Sequence, residues 1–272
     1  MIPAPFTYKR AWSVDEAIDL VARDGEEAKF LAGGHSLLPL MKLRLAVPQT
    51  LVDIGRLREL SYIRDAGDHI AVGALTRHGE LASSDLLARE LPLLAHAAGQ
   101  IGDPQVRHCG TIGGSLAHAD PAADLPAVVL ALDATLVARG PSGSREIAAA
   151  DFFRGLFETA LEPDELLTEI RIGKPAASGW AFQKFTKRAI DWAIVGVAVQ
   201  GGRVALVNMG QTPVRAAAVE SALAAGAGAR EAAAHAATGA SPSDDLNASR
   251  AYREHLARVL VRRAVEEALA RT

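Results

Sequence analysis

Two short segments, AGGHS at residues 32–36 and TIGGS at 111–115, each carry a glycine pair with a serine close behind, and the pairs stand 80 residues apart (33 to 113). Adjacent glycines permit positive φ and let a ligand approach main-chain N–H groups. The first pair falls between a strand-like run, AKFLA, and an apolar helical stretch starting at Leu37, so a helix start adds partial positive charge at the turn. That combination suits an anion. Two such cradles, each with a hydroxyl donor, predict a diphosphate clasped from both sides. Neither segment is GxGxxG, and no GxxxxGK[ST] occurs, so a Rossmann or P-loop site is excluded.

The rest of the chain reads as three units in α+β order. In the first, residues 1–55, Ser13 caps a helix over Ser13–Asp24 with Glu16 completing a capping box, and Gly25 ends it. The strand AKFLA, a helix over Leu37–Leu45 closed by Pro48, and the strand TLVDI follow. The second unit, residues 56–173, opens with two strands around DAGD and continues with helices to about Gly99. It then carries the second glycine pair, an apolar helix, the hairpin ATLVAR–GPSG–REIA and the strand LLTEIRI. GKPAASG at 173–179 has the composition of a linker. The third unit, 178–272, is expected to hold three antiparallel strands (WAFQKFTKR, WAIVGVAVQ, RVALVNMG), Ala-rich helices from Ala216 and a final helix over Ala248–Ala270. In that last helix Tyr252, Leu256, Val259, Leu260 and Val265 form the docking stripe, with Arg and Glu outside it.

Composition narrows the function. A net charge of −3, with no cluster of aromatics among Lys and Arg, argues against nucleic acid as a partner. Apolar runs such as LPAVVLAL fall short of the ~20 residues of a membrane span. The N-terminus carries no basic-then-apolar leader, so a cytoplasmic protein is expected. A single cysteine, Cys109, excludes a metal or iron–sulfur site built from several thiolates of this chain, and redox chemistry here needs an organic cofactor. His118 and Asp120 have metal-ligand spacing but nothing to complete a site, and loop capping is expected for them. Lys42 and Arg44 are read equally as counter-charges or as a solvated helix face.

The stretches AGGHSLLPLMKLR, VRHCGTIGGSLAHADPAADLP and YREHLARVLVRRAVEEAL, with their spacings, resemble the FAD-binding medium subunit of the molybdenum hydroxylases, the xanthine dehydrogenase and aerobic carbon monoxide dehydrogenase type. The resemblance spans essentially the whole chain. It implies a two-subdomain FAD-binding fold of the vanillyl-alcohol oxidase (PCMH) type followed by a C-terminal α+β domain. It also implies non-covalent FAD held by Ala32, Gly33, Gly34, His35 and Ser36 from one side and Thr111, Ile112, Gly113, Gly114 and Ser115 from the other.

By the same resemblance Asp124 accepts a hydrogen bond from a sugar or ribityl hydroxyl, while Ile101 and Leu167 pack near the cofactor. Lys184 offers a cation to the ring, and Trp192, next to Asp191, covers it. No residue of this chain is then catalytic on the organic substrate, and none binds metal. Molybdopterin belongs to a large partner subunit and two 2Fe–2S clusters to a small one, in a dimer of heterotrimers. Electrons leave through FAD to NAD, quinone or oxygen. The rival readings are a self-contained FAD-dependent oxidase of the same superfamily and a flavin-free nucleotide-binding scaffold.

Overall fold

In a computed structural model the chain is described over residues 2–176 and 179–271. The expected start of the third unit at residue 178 lies outside the described residues. The first unit comprises β1 (Thr7–Arg10), α1 (Val14–Asp24), β2 (Ala28–Leu31), α2 (Leu37–Lys42) and β3 (Thr50–Asp53). Its sheet has the order β1-β3-β2, with β3 parallel to both neighbours. The apolar face of α1 (Val14, Ala17, Ile18, Val21) closes a small core against Val52 and Ile54. Ser13 accepts from the Glu16 N–H at 3.1 Å, as a cap should, but the Glu16 carboxylate takes the N–H of Trp12 at 2.8 Å rather than that of Ser13. The expected helix over 37–45 stops at Lys42, where Leu43 closes the last turn and Arg44 adopts φ 58°.

The second unit runs β4 (Ile63–Asp65), β5 (His69–Gly73), α3 (His78–Ala82), α4 (Asp85–Glu90), α5 (Pro92–Gly99), α6 (Pro104–Cys109), α7 (Ile112–His118) and α8 (Asp124–Ala131). The hairpin β6 (Thr135–Gly140) and β7 (Gly143–Ala148) follows, then α9 (Ala149–Phe152), the small pair β8 (Phe153–Gly155) and β9 (Glu158–Thr159), and β10 (Leu166–Gly173). The five-stranded antiparallel sheet is ordered β4-β5-β10-β6-β7. The pair β8–β9 was not foreseen, because strands of two or three residues carry no alternation to read. An ion pair of 2.5 Å between Arg139 and Asp15 joins this unit to the first.

The third unit holds β11 (Trp180–Thr186), β12 (Ala193–Gln200), β13 (Arg203–Val207), β14 (Val214–Arg215), α10 (Ala217–Ala224), α11 (Ala229–Ala233) and α12 (Arg250–Leu269). Its sheet has four strands, not the three expected; β14 is two residues long and pairs with β13. Every residue of β12 is buried, since the sheet is covered on both faces. One face (Phe182, Ala193, Ala198, Ala205, Val207) joins the core of the second unit, and the other packs on α10–α12. The stripe of α12 is corrected at three positions. Tyr252 is exposed and meets Phe185 edge-on, and Val259 is half-buried. Arg253 is buried, donating to the Ile194 carbonyl at 2.5 Å and to Asp245 at 2.7 Å. A charged residue on the buried face is hidden from a periodicity argument; here Ile194 and Asp245 hold its two terminal nitrogens, while its Nε has no partner among the described residues.

Candidate functional site

The three units meet around an open cleft of about 920 Å³. All the sequence-predicted site residues except Ile112 line it. The Ile112 side chain points into the core of the second unit and is fully buried, so its contribution is packing. Ile101 lines the cleft and also packs on that core, and Leu167 reaches the cleft from β10.

The two glycine segments are built differently. TIGGS is the first turn of α7. Thr111 is its N-cap, accepting from the Gly114 N–H at 3.1 Å, and the Ser115 N–H bonds the Thr111 carbonyl at 3.0 Å. The turn between β5 and α3 takes the rest: Ile112 N–H donates to Thr76 O at 3.0 Å and Gly113 N–H to Ala74 O at 2.8 Å. A methyl group at Gly113 would stand 2.5 Å from Ala74 Cβ and 2.7 Å from its carbonyl oxygen. That glycine therefore lets two pieces of protein backbone touch.

AGGHS is an open turn ahead of α2. A methyl group at Gly33 would overlap the Cys109 carbonyl, so this glycine lets the first segment rest on the end of α6, just ahead of the second, and Gly34 turns the chain at φ 73°. The backbone N–H groups of residues 33–37 donate to no acceptor among the described residues. Five consecutive donors, with the Ser36 and Ser115 hydroxyls also lining the cleft, form a nest for an anion. The expectation of two equivalent backbone cradles is thus corrected. One segment offers free N–H groups, and the other offers a hydroxyl from a turn whose N–H groups at 112–115 are engaged.

Farther along the cleft, Asp124 opens α8, and its Oδ2 accepts from Lys184 Nζ of β11 at 2.7 Å; the side chains are 5% and 6% exposed. Lys184 Nζ also lies 3.4 Å from the Gln100 carbonyl. Asp124 Oδ1 is buried with no partner among the described residues. Burial pushes the Asp124 carboxyl up to about 6, against the pull of Lys184. Trp192 is exposed at the cleft on the β11–β12 connection, where its N–H donates to Asp191 Oδ1 at 3.0 Å. That connection rests on Gly102, where any side chain would overlap the Ile190 carbonyl.

His35 is exposed and lines the cleft. His118 packs against Phe157 with ring centroids 5.0 Å apart, and Asp120 caps the Ala122 N–H at 2.9 Å. Among the described residues no group of three His, Cys, Asp or Glu could hold a metal ion. Lys42 and Arg44 are exposed and off the cleft, and Cys109 is exposed.

Sequence reasoning missed Ile190 and His78, both on the cleft wall. Ile190 shares the connection of Trp192 and could have been found with it. His78 starts α3 with no motif around it. Its N–H holds the Gly110 carbonyl at 3.0 Å, its Nδ1 is buried without a partner, and burial lowers its pKa to about 4.

Known proteins fit this arrangement. Residues 4–175 match the family described as FAD binding domain in molybdopterin dehydrogenase, and 180–268 match the CO dehydrogenase flavoprotein C-terminal domain. The chain therefore belongs to the FAD-binding medium subunits of the molybdenum hydroxylases, an oxidoreductase family, and has their PCMH-type architecture with a C-terminal sheet-and-helix domain. It is 43% identical to the carbon monoxide dehydrogenase medium chain of Hydrogenophaga pseudoflava, covering 100% of this chain and 99% of that one. It is 41% identical to the 6-hydroxypseudooxynicotine dehydrogenase complex subunit alpha of Paenarthrobacter nicotinovorans, covering 100% and 97%. Among solved structures, carbon monoxide dehydrogenase from H. pseudoflava superimposes with a TM-score of 0.95 at 43% identity, over 100% of this chain and 99% of that one.

The residues present suit FAD. The open N–H groups of 33–37 can take diphosphate oxygens, and the orphaned Asp124 Oδ1 is an acceptor placed for a hydroxyl donor.

Proposed function

We propose that this FAD-binding subunit passes electrons from 2Fe–2S clusters of a small partner subunit, through non-covalently held FAD, to an external acceptor such as NAD, quinone or oxygen. In this reading a molybdopterin-bearing large subunit oxidises the substrate, the three chains pair as a dimer of heterotrimers, and the assembly works in the cytoplasm. Among the described residues no helix is long and apolar enough to cross a membrane. Bound FAD supplies a centre that exchanges one electron at a time on one side and two on the other.

The chain's own part is binding, shielding and electrostatics. The free N–H groups of residues 33–37 carry the reading, because an anion is what such a nest holds and because the glycines beside it are already explained by protein packing. Ser36 and Ser115 add hydroxyls from opposite sides, Asp124 and Lys184 supply the charged wall, and Trp192 with Ile190 forms an apolar rim that restricts water.

The test is a visible spectrum of the purified chain, followed by acid precipitation and identification of the released flavin. A yellow protein releasing FAD supports the reading and shows that the cofactor is held non-covalently. A colourless chain that takes up no FAD, even with partner subunits present, contradicts it.

A further inference from the structure

The Asp124–Lys184 pair is an unusual thing to find in the wall of an open cleft. Both side chains are almost wholly buried, yet among the described residues only one carboxylate oxygen is used, and the other has no donor. A pair built only for stability would have both oxygens satisfied, since the desolvation of two charges is repaid only by complete hydrogen bonding.

Other charges nearby are already committed. On the surrounding elements His96 of α5 turns to Trp180, and Arg203 and Arg215 of β13 and β14 are held by Asp133. Glu267 pairs with Arg271 on α12, and Arg253 pairs with Asp245. His118 of α7 lies on Phe157, Asp120 caps its own turn, Asp191 takes the Trp192 N–H, and Asp151 of α9 is exposed. Among the described residues Lys184 is the one charge that acts on Asp124.

We infer that Asp124 is a proton acceptor coupled to reduction of the bound flavin, with Lys184 as the charge it releases. The inference rests on the FAD reading above. Bound FAD would take up two electrons from an external reductant together with one proton. A second proton binds the Asp124 carboxylate, forming an O–H bond, so Lys184 loses its neutralising partner and its charge would be free to offset the negative charge of reduced FAD. Re-oxidation returns both electrons to the acceptor and both protons to solvent. The buried carboxyl already lies near the range where such uptake is feasible, at about 6 through burial. Asp124 is a positioning and proton-holding residue here, acting through Lys184.

The test is the midpoint potential of the FAD-loaded chain, measured against reference dyes with dithionite as reductant across a pH series. Wild type is compared with Asp124→Asn and Asp124→Glu. For a two-electron couple each tenfold change in proton concentration is worth about 30 mV per proton. Above pH ~6 the wild-type slope should therefore exceed that of Asp124→Asn by about 30 mV per pH unit, and Asp124→Glu should restore it.

Should Asp124→Asn fail to hold FAD, the reduced-minus-oxidised infrared spectrum of wild type decides. The inference expects a protonated-carboxyl band that appears on reduction and shifts in deuterium oxide. A yellow wild-type chain with no such band, or equal slopes in wild type and Asp124→Asn, overturns this inference alone. A colourless chain that takes up no FAD overturns the FAD reading and this one together.

Discussion

AGGHS and TIGGS look alike as strings, and the molecule uses them in opposite ways. In the second, Thr111 and the carbonyls of Ala74 and Thr76 absorb the N–H groups of residues 112–114, Gly113 lets the turn pack on Ala74, and Gly114 leaves room for the Thr111 hydroxyl. In the first, Gly33 presses against Cys109 and Gly110 at the end of α6, while the N–H groups of 33–37 have no acceptor among the described residues. The β5–α3 turn thus holds the second segment, the end of α6 just ahead of it supports the first, and the first is free to hold a ligand. A glycine pair marks a close approach, and only the hydrogen-bond inventory says whether the neighbour is protein or ligand.

Substitutions can break or sharpen this contrast. The largest effect is expected from Gly113→Val, whose added carbons meet the backbone of Ala74, which cannot swing aside. Overpacking of this kind costs about 3 kcal/mol, a melting-temperature drop of roughly 6–12 °C without FAD. Gly34→Ala meets mainly the Leu38 side chain and pays chiefly for its φ of 73°. About 1–2 kcal/mol is expected there. Equal losses at the two positions would break the contrast.

His78 tests the supporting turn through pH. Unfolded, its imidazole binds a proton below about 6.5; folded, burial delays this to about 4. The folded state is thus penalised progressively as pH falls through that window, by on the order of 3 kcal/mol at its lower end, and the penalty is absent above pH 6.5. Asp124 acts in the opposite sense, because its folded pKa is raised from 3.8 to about 6, so between those values falling pH favours the folded chain. The two partly cancel between pH 4 and 6. His78→Gln should therefore gain stability relative to wild type at pH 5 compared with pH 7.5 in denaturant titrations; parallel curves would contradict the assignment.

Smaller effects separate stability from binding. Thr111→Ala removes the cap on Gly114 N–H and should cost about 1 kcal/mol of stability in the absence of FAD. Ser36→Ala removes a hydroxyl with no partner among the described residues, so the FAD-free melting temperature should hold while FAD affinity weakens about 5-fold, the equivalent of ~1 kcal/mol.

Much of this was legible in the sequence because it rests on local rules. Ser13 and Gly25 bound α1 as their chemistry requires, Gly201 and Gly202 turn β12 into β13 with positive φ, and the alternation of WAFQKFT and RVALV places them as strands. The cleft-lining residues were largely found as well, through the resemblance of motifs. What escaped depends on contacts distant in the chain. Ile112 turns inward because α7 docks on its own core, and Arg253 is buried because Ile194 and Asp245 reach it. The pairing of Asp124 with Lys184 joins residues 60 apart in sequence, and its unused oxygen exists only in three dimensions. The difference between the two glycine segments was likewise invisible, since it lies in which carbonyls stand opposite them.

The most direct test is residue-resolved amide hydrogen exchange on the chain with and without saturating FAD. The account predicts that exchange at residues 33–37 slows by about tenfold or more, roughly 1.4 kcal/mol of protection, while residues 112–115, already bonded within the protein, change little. Equal protection of both segments, or protection confined to the second, would contradict it.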